Sequence, residues 1–191
     1  MVTKNTNKIL NYLLRYFELK NINQISKELE ISVGSAFKIL KDLEKKKWVL
    51  PERMGNAIYY RINFDNLELV KVIELILIEG RRNLKGFSGV YANDLDNFNC
   101  DLIVLFGSVL KKNKFNDVDV LFSGCNLREV SKLCLDISKV RSRPVVPLIL
   151  TKNDLIKEIK LKRKSILDII KTGVVLKGED IFVEVLKDAR L

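Results

Sequence analysis

The sequence predicts an α+β protein in two parts, and three observations carry that prediction. Apolar residues recur at helical spacing in three stretches of the first 46 residues, and two short strand-like runs follow them. From residue 84 onward, strands and helices alternate, the mark of an α/β sheet flanked by helices. Between the two parts lies an apolar helix without any Ser/Gly-rich linker. The expected boundaries are therefore 1–63, a connecting segment at 64–83, and 84–191.

In the first part, Ile9, Leu10, Leu13, Leu14 and Phe17 define an amphipathic helix from about Thr3 to Leu19. A short helix over Ile22–Leu29 takes Asn21 or Asn23 as its cap, with Ile25 and Leu29 facing inward. The turn Glu30-Ile31-Ser32 leads into a third helix from Val33 to about Lys46. Ser32 caps this helix, and Ala36, Ile39, Leu40 and Leu43 form its buried side. Trp48–Glu52 and Ala57–Ile62 then read as strands joined by a turn at Met54-Gly55-Asn56.

Residues 66–80 are apolar nearly all round, which predicts a helix buried on every side, between the domains or at a dimer interface. Beyond a helix at about Gly89–Phe98, the second part predicts strands at Leu102–Phe106, Val118–Phe122, Val145–Leu150 and Val174–Leu176. Helices are expected at Leu127–Val140, Lys152–Lys160, Lys162–Thr172 and the C-terminus.

Composition narrows the chemistry. The chain has 191 residues and no His, which excludes Ser-His-Asp and Cys-His catalysis and any zinc site with imidazole ligands. Cys100, Cys125 and Cys134 form no CxxC pair and read as reduced, mostly buried thiols. No apolar run approaches the ~18 residues of a membrane span, and no signal-peptide layout opens the chain, so a cytoplasmic location without membrane contact is expected. The formal net charge is +10, and residues 1–63 hold 12 basic and 6 acidic side chains. Charge so concentrated is the footprint of a polyanion partner, although solvated helix faces are also Lys-rich.

The order of three helices and a hairpin, with QISKELEISVGSAFKILKDLEKKKWVLPE at its centre, resembles the winged helix-turn-helix DNA-binding family over most of residues 4–63. Two positions depart from it, since Glu30 and Lys47 stand where Gly is usual and where the backbone often turns left-handed. The resemblance implies that the third helix enters the major groove of double-stranded DNA. Ser32, Val33, Gly34, Ser35 and Lys38 would then lie on its N-terminal, outward side, with Ser35 and Lys38 in reach of base edges or phosphates and Lys41, Lys45 and Arg53 among the phosphate contacts. A homodimer would suit the reading of two half-sites. The alternative is a winged helix used for protein contacts.

In the second part, Phe106-Gly107-Ser108 is followed by Asp117-Val118-Asp119. Residues two apart on a strand share a face, with Cα atoms ~6.6 Å apart, so the two carboxylates project together. Side-by-side carboxylates repel unless a cation sits between them, and magnesium carrying nucleotide phosphates suits oxygen ligands. Gly107 permits close approach to a phosphate, Ser108 adds a hydroxyl, and an N–H at a helix start could hold the same anion.

This pattern resembles the nucleotidyltransferase (polymerase-beta-like) superfamily over roughly residues 84–190, including VPLILTKNDLIKEI and GVVLKGEDIF. The resemblance implies that Gly107 and Ser108 bind the triphosphate and that Asp117 and Asp119 hold Mg²⁺ or Mn²⁺. Lys111 would stand in for an Arg in the stretch Leu110-Lys111-Lys112. Such a site transfers a nucleoside monophosphate from an NTP to a protein or RNA hydroxyl. The family's third carboxylate is missing, because the next core strand reads PVVPLIL, and neither Asp101, Asp136 nor Asp154 is an evident substitute. Two functions follow: a nucleotidyltransferase, or a transcriptional regulator whose degenerate transferase domain senses nucleotide or mediates dimerisation.

Overall fold

A computed structural model describes residues 3–111 and 114–190. The protein is α+β, with nine α-helices, a three-stranded antiparallel sheet and a four-stranded mixed sheet among the described residues. Its contacts divide it into two compact units, Met1–Ile76 and Leu77–Leu191.

In the first unit, helix α1 (Lys4–Arg15) starts at Thr3, whose hydroxyl accepts from the Thr6 N–H. It ends earlier than its apolar period suggests. Tyr16 leaves the helix for extended backbone and stacks on Tyr12 with ring centroids 4.3 Å apart. Strand β1 (Lys20–Asn21), which has no signature in the sequence, pairs with a later strand, Lys20 opposite Tyr60. Helix α2 (Ile22–Leu29) carries a full capping box between Asn21 and Gln24. Glu30 then adopts the left-handed conformation at φ 53°, and the Ser26 hydroxyl donates to the Ile31 carbonyl at 2.6 Å to close the turn.

Helix α3 (Val33–Lys45) opens on Ser32, whose Oγ accepts from the Ser35 N–H at 3.2 Å. Lys47 is also left-handed, at φ 57°. Both positions where Gly is usual therefore keep the glycine-like conformation with ordinary side chains, a strain of about 1–2 kcal/mol each. Strands β2 (Val49–Met54) and β3 (Ala57–Ile62) form a hairpin in which Val49 pairs with Ile62 and Met54 with Ala57. Ile9, Leu10, Leu14, Ile25, Ala36, Leu40 and Trp48 are buried as the core.

Within the single chain, helix α4 (Leu67–Arg82) is buried along one side. Leu69, Ile73 and Leu77 form one buried stripe at four-residue spacing, whereas Leu67 and Leu75 are 80% and 64% exposed. The helix is amphipathic in its burial although not in its composition.

In the second unit, helix α5 (Gly86–Leu95) starts three residues earlier than its sequence suggests, and the strands build a sheet in the order β6-β5-β4-β7. Strand β4 (Leu102–Phe106) lies antiparallel to β5 (Val118–Ser123) and to β7 (Val174–Lys177), while β5 lies parallel to β6 (Val145–Ile149). Tyr91 and Leu95 of α5, and Val130 and Cys134 of helix α6 (Leu127–Val140), share one core with Ile103, Leu105, Val118, Val120 and Phe122. The other strand residues, among them Leu102, Val104 and Leu121, are equally buried, with helices α8 (Lys164–Thr172) and α9 (Glu179–Arg190) packed against β4. Helix α7 (Lys152–Lys160) opens on Thr151 and packs on α9. Helix α8 starts two residues later than expected because Lys162 turns left-handed at φ 54°. No helix among the described residues is long and apolar enough to cross a membrane.

Candidate functional site

Asp119 lies on β5, and Asp117 immediately precedes that strand. Val118 and Val120 are fully buried, and the half-buried Asp117 and Asp119 alternate with them. Asp119 pairs with Phe106, the residue just before Gly107. Gly107 has φ 82°, and a methyl group added to it would overlap the Asp119 Oδ2 and lie 3.0 Å from the Asp119 Cγ. The left-handed backbone calls for glycine, and the Asp119 side chain occupies the space a methyl group would take. Burial, and then the charge of Asp117, push the Asp119 carboxyl above the usual carboxylate range. A second negative charge beside a partly desolvated one is an arrangement a cation relieves, so the donor set fits a divalent ion with oxygen preference.

The surroundings limit that fit. Asp119 pairs directly with Val146 on β6, so an apolar side chain, 44% exposed, neighbours it on the strand where a third acid is sought. Among the described residues no group of three or more acids, Cys or His is placed to hold a metal. The three acids considered as substitutes are engaged elsewhere. Asp101 lies at the other end of β4, against Gly124 and Gly178. Asp136 pairs with Lys139 at 2.9 Å on α6, and the Asp154 carboxylate accepts from the Thr151 hydroxyl at 2.6 Å where α7 begins. Ser108 opens a single 3-10 turn (Ser108–Leu110) rather than a helix, so the expected array of helix-start N–H groups is one turn long. Lys111 is exposed after that turn, and Lys112 lies outside the described residues.

In the first unit, α3 brings the predicted DNA-facing residues to one end. Val33, Gly34 and Lys38 are exposed and Ser35 is half-buried, while the Ser32 hydroxyl is held in the cap. Lys45 and Arg53 are exposed, Arg53 on β2 opposite Ile58. Lys41 differs from them: its ammonium donates to Glu44 at 2.8 Å, so its charge is already partnered. Lys46 is exposed, with its ammonium 4.6 Å from the centre of the Trp48 ring. Phe37, absent from the sequence-based set, is 50% exposed beside Val33 at 51%. Its signal was present, since 33 and 37 lie off the 36-40-43 stripe that forms the buried side. Comparison with known proteins finds no matching family model, no matching curated protein and no matching solved structure.

Proposed function

We propose that the chain is a DNA-binding regulator in which a winged helix-turn-helix is joined to a nucleotidyltransferase-like unit that binds a magnesium nucleoside triphosphate without transferring it. The observation that carries this reading is the composition of the ground around Asp119: Gly107 beneath it, Asp117 beside it, and Val146 across from it. Two acids and a close-approach glycine support binding. An apolar neighbour in place of an acid removes the group that would accept the proton of an attacking hydroxyl, which argues against turnover.

In this reading Asp117 and Asp119 hold the ion, Ser108 offers its hydroxyl to a phosphate, and the Lys111 ammonium supplies a mobile positive charge. A bound divalent ion would neutralise triphosphate oxygens. The first unit would bring α3 to the major groove with Lys38, Lys45 and Arg53 toward phosphates.

The test is direct. The protein should gain thermal stability with Mg²⁺ and an NTP, and lose that gain in Asp117→Asn and Asp119→Asn. Incubation with labelled NTPs, Mg²⁺ or Mn²⁺, and protein or RNA acceptors should give no transfer. Transfer that vanishes in either variant would replace the regulator by an enzyme. Binding to duplex DNA should weaken steeply with salt.

A further inference from the structure

The exposed end of α3 carries an apolar pair that the fold does not use. Val33 and Phe37 are one helical turn apart on one side of the helix, and both are about half exposed. The helix's buried stripe consists of Ala36, Leu40 and Leu43 instead. Between the pair, Gly34 sits in ordinary helical backbone, and a methyl group added there would meet nothing within 4 Å. Gly34 is the second residue of the helix, and no neighbour within the protein requires a glycine there. An apolar pair, a gap beside it and the exposed charge of Lys38 thus share the first turns of one helix.

We infer that Val33 and Phe37 read thymine, by seating the C5-methyl group of a major-groove thymine against their side chains while Gly34 lets the helix approach. The inference rests on the proposal that α3 enters duplex DNA, and it names what that helix would read. Charge selects the occupant. Residues 1–63 carry twice as many basic as acidic side chains, Lys38 is exposed next to Phe37 in the chain, and Lys45 and Arg53 are exposed elsewhere in the same unit, which suits a polyanion with an apolar feature. In the major groove that feature is the thymine methyl, the one apolar group on any base-pair edge there.

The experiment begins by selecting bound duplexes from a random pool with the full chain. Each thymine of the tightest duplex is then replaced by deoxyuridine, which removes only the methyl group. The expected result is an affinity drop of about fourfold at one or two thymines, the value of one buried methyl group. Phe37→Ala should bind the thymine and uracil duplexes alike, and Phe37→Leu, which keeps an apolar side chain, should retain part of the discrimination. Circular dichroism checks that both variants fold. Equal wild-type binding of thymine and uracil duplexes overturns the inference and leaves DNA binding standing. So does undiminished discrimination in Phe37→Ala, or a change in its self-association alone. If no duplex binds, or binding is insensitive to salt, the underlying reading of α3 fails and takes the inference with it.

Discussion

The two ends of strand β4 use the same device for different ends. At one, Gly107 at φ 82° lies against the Asp119 carboxylate. At the other, Gly124 at φ 72° lies against the Asp101 side chain, and Gly178 at φ 80° lies against the Asp101 main chain. A left-handed glycine beside an aspartate is therefore no mark of a site by itself. What distinguishes Asp119 is its half-burial and the second acid two residues before it, which together penalise its charge. At the Asp101 end the contacts join the start of β4 to the segments after β5 and before α9.

Substitution tests this contrast most strongly at Gly178. A methyl group there would meet the Asp101 carbonyl carbon at 2.9 Å, and backbone cannot swing aside, so Gly178→Ala should cost about 3–5 kcal/mol in chemical denaturation. Gly124→Ala, with the Asp101 Cβ at 2.6 Å, should cost about 2–4 kcal/mol. Gly107→Ala should cost only about 1–2 kcal/mol, because a carboxylate tip can rotate away and leave mainly the left-handed strain. Yet it alone of the three should abolish the thermal shift with Mg²⁺ and NTP in a protein that still folds. Loss of that shift in Asp101→Asn, matching Asp119→Asn, would erase the distinction between the two ends.

A finer test uses pH. The raised Asp119 carboxyl means that the folded protein holds this proton more tightly than the unfolded chain does. Its contribution to stability thus declines as pH rises from the ordinary aspartate pKa, ~3.9, through the raised folded value. Asp119→Asn should accordingly be more stable than wild type at pH 7, by less than about 1 kcal/mol because water screens a half-buried pair. Thermal midpoints of the two proteins should converge as pH falls below that window. The smallest effect lies in the first unit, where Lys38 is exposed and Lys41 is held by Glu44. Lys38→Ala should reduce the salt slope of duplex binding by ~0.9, and Lys41→Ala should leave it nearly unchanged.

Much of the fold was legible where signals were local. Helix α6 and helix α7 have the bounds their apolar spacing predicts, and Ser32 caps α3 as its side chain suggests. Misreadings arose where a distant partner or a single dihedral decided. Strand β1 exists only because Lys20 and Asn21 meet Tyr60 and Tyr59. Helix α1 stops at Arg15, where Tyr16 turns to extended backbone and stacks on Tyr12, and α8 follows the left-handed turn at Lys162. The candidate site divides in the same way. Two-residue spacing suffices to bring Asp117 and Asp119 together, whereas the ion pair that occupies Lys41 required the packed helix.

By itself, then, the sequence determined most of the helices and strands, the α+β class, the shared face of the two acids and the charge of the first unit. These follow from spacing within a few residues, where backbone geometry repeats. Only the tertiary structure decided that Val146 stands across from Asp119, that Asp101 belongs to the far end of β4, and that α4 buries a single stripe. Such outcomes depend on the register between segments distant along the chain, which is set by how whole surfaces fit together and is written in no local pattern.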